Sequence, residues 1–146
     1  MTTQNPPTEE RTPQAVITHL IERTNAHDLD GLVACFAPDY VLNNPVHPSR
    51  SFVGLAPVRS NWEQFFAAIP DIHVTVSRTA CAGEEVWVEQ SVTGTRRDGA
   101  THDLRGVMVF TVREGLVRAN TFYLEPVETD GLSNEQTARL YAGRRP

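Results

Sequence analysis

Apolar positions recur at helical spacing in the first part of the chain. Val16, Ile17, Leu20 and Ile21 predict an amphipathic helix over 13–26. Thr12 stands where an N-cap belongs, and Pro13 at the first helical position. Asp28 is placed to cap a second, short helix whose stripe is Leu29, Leu32, Val33 and Phe36, stopped by Pro38 and Asp39. Residues 40–44 read as a short strand ending at Pro45, and 52–54 as another after a proline-rich loop. Val58, Trp62, Phe65, Phe66 and Ile69 share one face of a third helix over 56–69. From Ile72 the pattern changes. The stretches 72–80, 85–96, 102–113 and 116–126 are rich in Val, Thr and aromatics. They are joined at Ala82-Gly83, Asp98-Gly99 and Glu114-Gly115, and Asp-Gly between such runs is a hairpin signal. Helices followed by a β-meander predict an α+β domain with the helices on one face of the sheet. That domain spans 12–128. The polar residues 1–11 read as a loose, dispensable tail, and 129–146 as a second polar tail with a short helix near 134–142.

The chain has 146 residues, enough for one domain with its own core. Its formal charge of -5 argues against a nucleic-acid partner. The polar start does not resemble a signal peptide, and no apolar run reaches the ~18 residues that a membrane span needs. Two cysteines without CxxC spacing build neither a disulfide framework nor a zinc site. The five histidines are scattered, so no metal is expected. No phosphate loop or GxSxG elbow is present. The expectation is a cytoplasmic protein that uses no cofactor and touches neither nucleic acid nor membrane.

Three strings carry a resemblance. NAHDLDGLVACFAPDYVLNNP, FVGLAPVRSNWEQFFAAIPD and GLVRANTFYLEPVE, in that order, resemble SnoaL-like proteins of the NTF2-like superfamily over residues 13–128. The resemblance implies a cone: three N-terminal helices on a strongly curved, mixed, mostly antiparallel sheet that encloses a pocket, in a homodimer. The superfamily includes polyketide cyclases, ketosteroid isomerases, epoxide hydrolases, dehydratases and members with no known activity, so function must be read from the site.

Strands alternate faces, and each long strand therefore offers two sets. One set of the second long strand is Trp87, Glu89, Ser91 and Thr93; the other is Val86, Val88, Gln90 and Val92. The first set mixes an aromatic, a carboxylate and hydroxyls, and is expected inside. The valines are expected on a flat face that pairs two copies, sheet to sheet. The alternative for Glu89 is a carboxylate paired with an arginine on a neighbouring strand. On the last strand the resemblance puts Tyr123 and Glu125 inside, although Phe122 and Leu124 are the more apolar pair. Arg105 could reach Glu89 or Glu125, and His102 reads as exposed beside its turn. Trp62, Trp87, Phe36 and Phe66 are the expected substrate contacts. The resemblance to the epoxide-hydrolase branch matches Asn43 to the asparagine that holds the attacking water, and Glu89 to the catalytic aspartate. This chain departs from that branch at Trp87 and Val41, where it has arginine and tyrosine.

These residues imply a cofactor-independent enzyme for acid–base chemistry on a small hydrophobic molecule, polyketide-, terpenoid- or steroid-like. Glu89 or Glu125 would move the proton, and Tyr123 or Arg105 would stabilise the developing oxyanion. The alternative is a non-catalytic domain that binds a small ligand or serves a partner. The two differ in whether titratable groups converge in the cavity.

Overall fold

A computed structural model describes residues 12–145, so the tail expected at 1–11 lies outside the described residues. Helix α1 is Pro13–Asn25, and the Thr12 hydroxyl accepts from the Ala15 amide at 3.2 Å. Its buried stripe is Val16, Ile17, Leu20 and Thr24. Helix α2, Leu29–Val33, is capped by Asp28, which accepts from the Gly31 amide at 2.9 Å. That hydrogen bond, ahead of Arg23, holds the Asp28 carboxyl below its usual pKa. Strand β1, Phe36–Asn43, starts earlier than the pattern of apolar residues suggests. Phe36, expected on α2, already pairs with Val117 in the sheet. Strand β2 is Phe52–Val53 and helix α3 is Leu55–Ala68. Four long strands follow: β3 His73–Ala82, β4 Glu85–Thr95, β5 Thr101–Arg113 and β6 Leu116–Pro126. Helix α4, Asn134–Tyr141, opens on a Ser133 capping box and buries none of its residues.

The order in the sheet is β2-β1-β6-β5-β4-β3. Only the β1–β6 pair is parallel; α3 lies between β2 and the meander, and the last strand of the meander returns beside β1. The register slips at three places, between Phe36 and Val41, Val76 and Arg78, and Thr111 and Val112. Such irregularities bend a strand and increase its twist. Gly106 adds a further kink: its φ is 151°, and a Cβ there would collide with the Tyr123 carbonyl oxygen. The result is an open, curved sheet with the helices in its hollow.

Two apolar clusters fill that hollow. One joins Leu32, Val86, Val88, Val112 and Val117 to α1 and Phe110; the other holds Ile69, Ile72, Val74, Val92 and Leu124. Burying side chains of this kind contributes about 2 kcal/mol each. Polar pins fix the joints. The Asn25 carboxamide both donates to the Val74 carbonyl at 2.9 Å and accepts from its amide at 2.7 Å, tying the end of α1 to β3. Asp71 accepts from the Thr95 amide at 2.7 Å. Val86, Val88 and Val92 are therefore core residues beneath helices. They are unavailable for the pairing of sheets expected of them.

Candidate functional site

The concave face does not close completely. A cavity of about 430 Å³ remains between α1, α3 and the sheet. Its size falls in the range of small-molecule sites. Phe36, Phe110 and Tyr40 are in its wall, the Phe36 and Tyr40 rings 4.7 Å apart. Trp62 and Phe65 close one side from α3, their rings in edge-on contact at 5.4 Å. From the sheet, Leu104, Phe122 and Leu124 add to the wall.

Few polar groups interrupt this wall. Gln90 and Asn120 are buried carboxamides on β4 and β6. The Asn120 nitrogen donates only to the Met108 thioether, at 3.6 Å, and its carbonyl oxygen has no donor among the described residues. A thioether is a weak acceptor, so this amide is under-satisfied. Tyr40 stands close enough to Asn120 for the carboxamide to moderate its acidity, but burial dominates and pushes the phenol above its usual pKa. Tyr40 therefore stays protonated. Asn44 is held by its loop, its amide donating to Ser51 Oγ and its carboxamide oxygen accepting from the His47 amide, both at 3.0 Å. At the mouth stand His102, from β5, and Arg50, from a 3-10 turn at Pro48–Arg50. Partial burial, helped by the charge on Arg96, lowers the His102 pKa, so the imidazole is a neutral proton acceptor at pH 7. Among the described residues, no Asp or Glu lines the cavity.

The sequence-derived site is split between two faces. Trp62 and Phe36 line the cavity as expected. Trp87, Glu89, Arg105, Tyr123, Glu125 and Asn43 all stand on the convex face. Pairing across the ladder makes the parity explicit: Glu89 lies opposite Val107, Val107 opposite Tyr123, and Arg105 opposite Glu125. Glu89 is paired with Arg78 of β3, which lowers its pKa; this is the arginine-paired alternative weighed for it. Arg105 bonds Asp103 on its own strand at 3.2 Å, and Glu125 bonds His47 at 2.8 Å. Trp87 and Tyr123 are both more than 40% exposed, at 45% and 43%. Asn43 is exposed, whereas its neighbour Asn44 is buried at the cavity. On α3 the helical phase puts Phe65 in the cavity and turns Phe66 to stack on His27, ring centroids 4.7 Å apart. His102, expected outside, lies in the wall.

Residues 17–120 match the family model described as a SnoaL-like domain. The chain belongs to the SnoaL-like family. No curated protein matches it. Solved structures share the fold. Wild-type IdmH from Streptomyces antibioticus, a candidate polyketide cyclase, is 22% identical with a TM-score of 0.67, covering 77% of this chain and 91% of its own. AclR from Streptomyces galilaeus, a candidate hydroxylase, is 18% identical with a TM-score of 0.68, covering 96% and 89%. A protein from Catenulispora acidiphila with a ketosteroid isomerase-like fold, in complex with trimethylamine, is 18% identical with a TM-score of 0.65, covering 77% and 86%.

In this SnoaL-like chain the overlooked residues follow one rule. Gln90, His102, Asn120 and Asn44 each sit one position from an expected site residue or within the set assigned to the other face. The signal available was burial: a face covered by helices is the more apolar one, and Val86, Val88, Phe122 and Leu124 mark it. Among the described residues, no group of three His, Cys, Asp or Glu is placed to hold a metal ion. No helix among them is long and apolar enough to cross a membrane.

Proposed function

We propose that this SnoaL-like chain is an acid–base enzyme for a small hydrophobic substrate, polyketide-, terpenoid- or steroid-like, with His102 as its proton carrier. The observation that carries the reading is the lowered pKa of His102 in the wall of an otherwise apolar cavity. A neutral imidazole there accepts a proton from a bound C–H or O–H and returns it elsewhere on the molecule, which serves cyclisation, isomerisation or hydration. Gln90, Asn120 and Tyr40 offer neutral hydrogen bonds to an oxygen at the buried end, where they act in a low-dielectric site. No cofactor enters this chemistry. A cytoplasmic homodimer belongs to the same proposal, paired through the convex face. Trp87, Val107, Val109 and Tyr123 form an apolar centre there, and the Arg78–Glu89 and Arg105–Asp103 pairs form a polar rim.

A second reading, ligand binding without turnover, is favoured by the absence of any carboxylate from the described cavity wall. Trp62 and Trp87 are the only tryptophans, so a Trp87→Phe background makes Trp62 fluorescence a direct report on the cavity. In that background, His102→Gln should lower turnover at least about 100-fold. Ligand affinity should stay within about tenfold, or ~1.4 kcal/mol. Glu89→Gln and Glu125→Gln should change neither. Undiminished turnover in His102→Gln removes His102 from the mechanism. Tight binding with no conversion of any substrate tried supports the second reading.

A further inference from the structure

The chain has no lysine, so its fixed positive charges are arginines, and these are not used evenly. Between residues 12 and 126, Arg23, Arg59, Arg78, Arg105, Arg113 and Arg118 each have a carboxylate within 4 Å. Arg50, Arg96 and Arg97 have none among the described residues. All three stand at the cavity or beside it. Arg50 lines the cavity itself. Arg96 and Arg97 line a shallow depression together with Phe65, Ala68, Ile69, Asp98 and His102. Phe65 and His102 belong to both walls, so the depression adjoins the cavity.

The local geometry keeps these guanidiniums available. Arg96 and Arg97 follow β4 directly, and a backbone bond from the Arg96 amide to the Ala100 carbonyl closes the turn. Arg97 Nε donates to the Ala67 carbonyl at 2.6 Å, which pins the side chain against the end of α3 and leaves its terminal nitrogens unspent. Asp98, the carboxylate of the same depression, accepts from the Ala100 amide at 2.9 Å and is not paired with either arginine. Asp103 is engaged by Arg105 and Asp71 by the Thr95 amide.

We propose that the cavity mouth is an oxyanion site and that the ligand is an amphiphile, with its apolar body in the cavity and a carboxylate head held by Arg96 and Arg97. Guanidinium is suited to this because it binds carboxylate through paired, charge-assisted hydrogen bonds. An anion seated there also opposes the effect of the Arg96 charge on His102, one of the causes of its lowered pKa. The inference rests on the proposed function only in taking the cavity as the seat of the apolar body.

The test uses the full chain in the Trp87→Phe background, with decanoate and decan-1-ol as probes of equal chain length, read by Trp62 fluorescence at low salt. Decanoate is expected to bind at least about tenfold more tightly than decanol, or ~1.4 kcal/mol. Its advantage should shrink as salt is raised. Arg96→Gln with Arg97→Gln should abolish the advantage and leave decanol binding unchanged. Arg113→Gln, at the other end of β5, should leave both affinities alone. Equal affinities in the unmodified mouth overturn the oxyanion site while the apolar cavity stands. Failure of both probes to bind overturns the cavity as a ligand site, and this inference with it.

Discussion

The two faces of one sheet behave as different materials, although the same strands supply both. On the concave face, Val86 and Val88 pack in one apolar cluster and Val92 in the other, and the polar exceptions Gln90 and Asn120 sit at the cavity. On the convex face, Trp87 and Tyr123 stand in the open beside ion pairs. Chemical variety therefore marks the outside of this molecule, and monotony marks the inside. A site for a hydrophobic ligand needs few polar groups, and each counts because little competes with it. Glu89 and Asp103 on the convex face are instead paired with arginines, an arrangement that costs little in solvent and stabilises little.

The sharpest way to break this comparison is to place one charge on either side of a single strand. Val86→Asp buries an unpaired carboxylate and should cost about 4 kcal/mol or more, enough to unfold a marginal domain. Trp87→Asp, one residue on, should cost within about 1 kcal/mol when measured on the monomer. It should also shift a dimer toward monomer in sedimentation, because it charges the centre of the convex apolar patch. Equal destabilisation at both positions would contradict the assigned parity.

Gly106 sharpens the comparison at the place where curvature is made. Gly106→Ala should destabilise by about 1–3 kcal/mol, since its φ of 151° is hostile to a side chain and a Cβ meets the Tyr123 carbonyl. Chemical denaturation measures this directly. An unchanged midpoint would mean that the bend of β5 does not depend on glycine.

The smallest expected effect is a matter of pH. The His102 pKa is lowered in the folded protein, so between that value and the ordinary value of about 6.5 the unfolded chain binds a proton that the folded one does not. Stability is full above that window and falls as pH drops through it. His102→Gln should remove that part of the acid slope in thermal melts taken between pH 7 and pH 5. A steeper slope in the variant would reverse the sign of the assignment.

Much of the architecture was legible from the chain because it rests on local signals. Thr12-Pro13 and Asp28 act through neighbours a few residues away, and the caps formed where those residues stand. The helical stripe of Val16, Ile17 and Leu20, the four long strands and the glycine turns follow from periods that a short window contains. The alternation along β4 and β6 was equally legible: Trp87, Glu89 and Val86, Val88 were separated correctly into two sets. What alternation lacks is a sign. A period of two divides a strand into faces without saying which one the helices cover, and one wrong choice carries Glu89, Arg105, Tyr123, Glu125 and Asn43 to the outside together.

Only the tertiary structure chose between the faces. Helices α1 and α3 must bury their apolar stripes, and they do so against the set with most branched and aromatic surface and fewest charges. That demand sums over elements far apart in sequence: Asn25 reaches Val74, Trp62 and Phe122 line one cavity, and Tyr40 meets Asn120. The cavity is the volume left over when these faces meet around the kink at Gly106. Its polar occupants, Gln90, Asn120 and His102, owe their chemistry to that enclosure, since the same side chains on the convex face would be solvated and ordinary.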